Sequence, residues 1–187
     1  MTPTMLDTDA ALIVVDLQKG IVSQPMAHPT NAVVAKAAEL AATFRHHALP
    51  VVLVTVDGRA PGRVERRPAT ADRPADWAEL VPELHAEASD IRVVKRSWGA
   101  FTDTGLRDTL RARKVTQVVI AGIATSIGVE STARAAYELG FNVTLACDAM
   151  TDFAIESHDH SIQRIFPRLG ETATVADVVA LLAQRTV

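Results

Sequence analysis

Residues 117–146 read QVVIAGIATSIGVESTARAAYELGFNVTLA, and the order of residue types within them sets the architecture. Gln117–Ala121 and Asn142–Ala146 are short runs rich in aliphatic and β-branched residues, apolar on successive positions rather than on alternate ones. Strands buried on both faces of a parallel sheet have that composition, because neither side meets water. Between them, Ser131–Leu139 reads as a helix and is followed by Gly140. Glycine suits the left-handed position that closes a helix. Strand, helix and strand in this order are the repeating unit of a parallel sheet.

The same pattern extends outward. Ala11–Val15 and Pro50–Val56 are further buried strands, and Asp90–Val94 is a weaker one. Asn31–His47 is an alanine-rich helix broken at Ala48-Leu49-Pro50. Thr104–Arg113 places Leu106, Leu110 and then Lys114 on a helical period, and His158–Phe166 and Val175–Gln184 complete the helices. Alternating strands and helices predict a doubly wound α/β sheet. A (β/α)₈ barrel needs about 250 residues and eight strands, more than this chain of 187 supplies. The expectation is one domain spanning 1–187, without an internal repeat. Asp57–Asp90 is irregular, with Pro61, Pro68, Pro74 and Pro82 and several arginines. A connection this long in a compact domain serves as a lid, a binding loop or an oligomer contact.

Composition narrows the function. The net charge of −3 lacks the basic excess of a nucleic-acid binder. No apolar run approaches the roughly 20 residues that cross a bilayer. The polar, acidic start has no signal-peptide pattern, and a single cysteine, Cys147, excludes an internal disulfide. A cytoplasmic enzyme or binding protein acting on a small molecule is expected, with no nucleic-acid or membrane partner. Gly122 and Gly128 do not form a phosphate- or dinucleotide-binding fingerprint, so no cofactor is expected. The histidines (His28, His46, His47, His85, His158, His160) form no recognised ligand set, so no metal is expected either.

Ligands in such sheets bind at the carboxyl ends of the strands. That rule selects Asp16 and Gln18 after the first strand, Asp57 after the second, the Gly122–Gly128 turn, Cys147-Asp148, and Lys95 with the residues that follow it. Asp16 emerges from the sheet centre, where a carboxylate needs a partner or its pKa rises. Lys95 is a candidate partner. The spacing leaves open whether they form a structural ion pair, a turn cap or a catalytic pair. Cys147 ends an apolar run and reads as a buried structural residue rather than a nucleophile.

Three stretches, ALIVVDLQKG (11–20), VVKRSWGAF (93–101) and VVIAGIATSIGVESTARAAYELGFNVTLACDAMTD (118–152), resemble the signature regions of the isochorismatase-like hydrolases. The resemblance implies a three-layer α/β/α sandwich with a mainly parallel, six-stranded sheet, and a homo-oligomer, dimer or tetramer. Most such enzymes use an Asp-Lys-Cys triad, whose first two members fall on Asp16 and Lys95. The nucleophilic cysteine falls on Gly128, so a thioester route is not expected. Arg59 stands where the nicotinamidase metal motif has histidine. Isochorismatases also carry glycine in the cysteine's place, and cleave a vinyl ether by proton delivery and water attack.

On that pattern Asp16 is the acid, Lys95 orients it and Gly128 leaves room for substrate. Gln18, Asp57, Trp98, Phe101, Ile123, Ala124, Ser126 and Ile127 are the substrate-binding candidates, and the Ile123–Ala124 bond is expected to be cis. Departures exist: Asp57 and Ala124 stand where isochorismatases carry glutamine and tyrosine. Asp57 would repel a dianion unless Arg59, Arg63 or Arg66 offsets it. ATSIGVEST is closer to the cysteine-bearing branch. Two functions follow: a metal-independent hydrolase of a small carboxylated molecule, or a degenerate relative that only binds one.

Overall fold

The computed structural model describes residues 3–65 and 73–184; Arg66, one of the arginines set against Asp57, lies outside them. Six strands, β1 (Ala10–Val15), β2 (Val51–Val56), β3 (Ile91–Lys95), β4 (Gln117–Ile123), β5 (Asn142–Thr151) and β6 (Glu171–Ala173), form one sheet in the order β3-β2-β1-β4-β5-β6. Every pairing is parallel. The chain winds outward from β1 to β3, then returns beside β1 as β4 and winds the other way. The direction of winding reverses between β1 and β4, and α/β sheets bind ligands at the carboxyl ends of the strands beside such a switch.

The two faces of the sheet explain the unbroken apolar runs. Leu12, Val14, Leu53, Val119 and Ala121 pack on one side beneath helices α2 (Thr30–His46) and α6 (Val175–Ala183). Ile13, Val15, Val52, Val54, Val118 and Ile120 pack on the other, beneath α3 (Leu106–Ala112) and α4 (Glu130–Glu138). Each valine, leucine or isoleucine among them contributes roughly 1.5–3 kcal/mol by leaving water. The short α1 (Lys19–Val22) and α5 (Ile155–His160) complete the set. Gly140, at φ +78°, ends α4: its N–H bonds Tyr137 O and that of Phe141 bonds Ala136 O, the paired closure expected of glycine.

The structure corrects several expectations. β4 runs on to Ile123 and β5 to Thr151, with a register shift between Ile120 and Gly122. Cys147-Asp148 therefore lies mid-strand, not at a carboxyl end. Asp148 turns outward to accept the Val175 amide at 2.7 Å. The helix after β5 starts at Ile155 and passes into a wide turn over Ser161–Ile165. α3 stops at Ala112, and Lys114 lies beyond it at φ +61°. The 57–90 segment is irregular where described, apart from one tight turn at Pro82–Leu84 and a bridge from Leu80 to Gln18.

Candidate active site

Asp16 follows β1 with φ +54°, a left-handed conformation that few residues besides glycine, asparagine and aspartate tolerate. Lys95 ends β3, two strands away, and reaches across β2. Its Nζ lies 2.7 Å from Asp16 Oδ2 and donates to Ser97 O at 3.2 Å and Trp98 O at 2.8 Å. An ammonium has three donors, and these contacts use all of them. Lys95 is only 2% exposed. Burial pushes the Asp16 carboxyl up from 3.8 to about 6, against the opposing charge and hydrogen bond of Lys95. Two unlike effects thus leave an acid near neutrality. Asp16 Oδ1 is buried and has no hydrogen-bond partner among the described residues.

The third member arrives from β4. The Ile123–Ala124 peptide is cis, and the chain then makes a wide turn over Thr125–Val129, with the Val129 amide bonding Ala124 O at 3.1 Å. Turns of this kind recur at functional sites. A Cβ at Gly128 would stand 3.1 Å from Asp16 Oδ2 and 3.0 Å from Val15 Cγ1. Position 128 is therefore in contact with the carboxylate. Nearby, Gly122 (φ +122°) passes so close to β1 that a Cβ would overlap Val15 O.

The turn is clamped by groups from β5 and the segments after it. Asp152, just past β5, accepts the Ser126 amide at 2.6 Å and the Phe153 amide at 2.7 Å. The Ser126 amide is thus already taken and does not face a ligand. Thr125 donates its hydroxyl to Thr151 O at 3.0 Å and meets His158 Nδ1 at 2.8 Å. His28 packs edge-on against His158 and contacts the Thr151 hydroxyl at 3.1 Å. Burial, then His28, holds His158 below the ordinary imidazole range, which keeps it neutral. His158 appears in the sequence only as one of six scattered histidines, and Asp152 carries no signal beyond ending the third signature stretch.

The other candidates divide. Ile123 and Ala124 are buried at the turn, and Ser126 and Ile127 are half-buried within it. Gln18 is fully buried and its amide is spent on backbone: it donates to Val56 O (3.1 Å) and Trp77 O (3.2 Å) and accepts from Val56 N (2.7 Å). It shapes the wall and offers no free group. Asp57, Arg59 and Arg63 are exposed beyond β2 and make no ion pair among the described residues. Trp98 is 65% exposed, and its carbonyl rather than its ring serves Lys95. Phe101 stacks on Phe141, 5.9 Å between centroids, at the amino end of β5, whereas Asp16 lies past the carboxyl end of β1. Burial pushes the Cys147 thiol up to about 11, which leaves it protonated and unreactive. No cluster of three or more histidine, cysteine, aspartate or glutamate side chains suited to a metal occurs among the described residues. No helix among them is long and apolar enough to cross a membrane.

The sequence pattern of the isochorismatase domain matches residues 10–177. The uncharacterized isochorismatase family protein YecD of Escherichia coli O157:H7 is 42% identical, over 95% of this chain and 100% of its own length. An isochorismatase family protein from Burkholderia thailandensis superposes with a TM-score of 0.93 at 40% identity, covering 98% of this chain and 100% of that one. N-carbamoylsarcosine amidase from Thermoplasma acidophilum superposes at 0.74 with 25% identity, covering 90% and 97%.

Proposed function

The chain belongs to the isochorismatase family, and on that basis we propose that it is a hydrolase of a small carboxylated molecule, working without a metal and without a covalent cysteine intermediate. Asp16 is the general acid/base, Lys95 its charge partner, and Gly128 stands in the place of the nucleophilic cysteine. One observation carries the reading: Asp16 Oδ1 is buried, unpartnered, and belongs to the carboxyl that touches position 128. No group among the described residues takes a proton on that oxygen, which leaves it for a ligand.

Asp16 gives its proton to the substrate at the bond to be cleaved, and water adds to the carbon made electrophilic by that transfer. The substrate's C–O or C–N bond breaks, and the water's second proton returns to the carboxylate. One water is consumed and Asp16 is restored. An acid with a pKa near the working pH suits both halves of the cycle. The same reading carries a homo-oligomer in the cytoplasm.

The test is a panel of isochorismate, nicotinamide, N-carbamoyl amino acids and small amides, with wild type beside Asp16→Ala. Turnover by wild type and its loss in Asp16→Ala are expected; turnover indifferent to Asp16→Ala would remove the assignment. A second reading, a binding protein that has lost the reaction, is favoured by Gly128 itself, which offers no side chain to attack a substrate. It predicts thermal stabilisation by a panel compound with no turnover.

A further inference from the structure

Lys95 and Gly128 arrive from opposite sides of β1, and one side chain joins the Gly128 carbonyl to the segment that follows Lys95. Thr132 lies in the first turns of α4 and is fully buried. Its hydroxyl donates to Gly128 O at 2.7 Å and accepts the Ala100 amide at 3.0 Å. The first bond is the ordinary local contact of a helical threonine with the carbonyl four residues back. The second is not local, since it links residues 32 apart in the chain. Ala100 closes the short segment whose Ser97 and Trp98 carbonyls hold Lys95 Nζ. That segment lies directly on α4: a Cβ at Gly99 would stand 3.4 Å from Ser131 O.

We infer that Thr132 is a positioning residue of this site, its hydroxyl fixing the carbonyl cage of Lys95 against the Gly128 turn and so setting how closely the ammonium meets Asp16. The inference rests on reading Asp16, Lys95 and Gly128 as the reaction centre. Thr132→Val keeps the shape of the side chain but takes the acceptor from the buried Ala100 N–H and breaks the link to Gly128 O, which drives the two segments apart or admits water between them. Lys95 is the group that opposes burial at Asp16, so loosening it raises the carboxyl further. Thr132→Ser retains the hydroxyl and restores the bridge.

The experiment is a carbon-detected NMR titration of the Asp16 carboxyl in the full chain, with no substrate present. Thr132→Val is expected to move its midpoint upward by about half a pH unit or more, roughly a threefold change in the proton equilibrium. Thr132→Ser stays with wild type. Should the valine variant fail to accumulate folded, Thr132→Ala also lacks the hydroxyl and is expected to move the midpoint the same way. Thr174→Ala, which removes the capping box of α6, is the control: it lowers the melting temperature without moving Asp16. A wild-type midpoint in the folded hydroxyl-free variant overturns the inference, as does an equal shift in Thr174→Ala. A substrate panel without turnover would sink the hydrolase reading and leave this titration standing, and the reverse also holds.

Discussion

Replacing Lys95 with methionine keeps an unbranched side chain, one atom shorter, and removes its charge and donors. The Asp16 carboxyl already stands at about 6 against its ordinary 3.8, with Lys95 as its ion-pair partner at 2.7 Å. A tenfold change in proton affinity is worth about 1.4 kcal/mol, so the buried carboxylate costs the folded state about 3 kcal/mol near neutral pH even with its partner. Without Lys95, burial acts unopposed and the carboxyl rises above 6.

The direction of the pH effect comes from proton binding. A carboxyl raised in the folded state binds more protons there than when unfolded, so stability falls as pH rises from the unfolded value to the folded one. At pH 5 Asp16 is mostly neutral in both proteins, and the variant loses the lysine's bonds to Ser97 O, Trp98 O and a neutral carboxyl, roughly 1–3 kcal/mol. At pH 8 the variant must also keep an unpaired buried charge or a bound proton, for a total of about 3–5 kcal/mol. Urea unfolding at the two pH values measures the difference. Asp16→Asn combined with Lys95→Met is expected to remove the pH-dependent part. Equal losses at pH 5 and pH 8 would mean that the cost is not the charge on Asp16, and the electrostatic explanation would fall.

Gly128→Ala places a methyl 3.0 Å from Val15 Cγ1 and 3.1 Å from Asp16 Oδ2. Its overpacking is expected to cost about 1–3 kcal/mol of stability and to shift the Asp16 carboxyl resonance, read by thermal melting and NMR. Asp152→Ala removes the acceptor of the Ser126 and Phe153 amides; a loss of roughly 2–4 kcal/mol in denaturant melts is expected from two bonds to a charged group. A loss under about 0.5 kcal/mol would mean that solvent replaces the carboxylate. Cys147→Ser should leave the turnover of any panel substrate unchanged, since the thiol is half-buried in mid-strand with its pKa pushed up to about 11. A steep drop in rate would reopen the thiol as a participant.

The parts of this structure legible in the sequence are those governed by local pattern. Continuous apolar runs mark β1, β2, β4 and the start of β5, because strands covered on both faces contain no polar alternation. Asp16 and Lys95 are legible as polar residues at strand ends, but their pairing across β2 depends on sheet order. β6 escapes notice because Glu171-Thr172-Ala173 has no apolar run to show. β5 is cut short in the sequence reading because Cys147-Asp148 resembles a strand end, whereas the chain shifts register there and continues. Phe101 stands close to Lys95 in sequence, yet packing against Phe141 draws it to the other end of the sheet. Thr132 and Asp152 act through hydrogen bonds to distant segments, which leave no periodic trace.

If Asp16 is the acid of the reaction, its titration must govern the pH dependence of kcat/KM for a substrate identified from the panel. A general acid must carry its proton in the free enzyme. The rate is therefore expected to fall as pH rises through about 6, where the Asp16 carboxyl titrates, approaching tenfold per pH unit well above it. In Asp16→Asn the remaining rate is expected to be at least about a hundredfold lower and to have lost that limb. A profile flat from pH 5 to 8, or an asparagine variant that keeps both the rate and the limb, would show that Asp16 is not the acid.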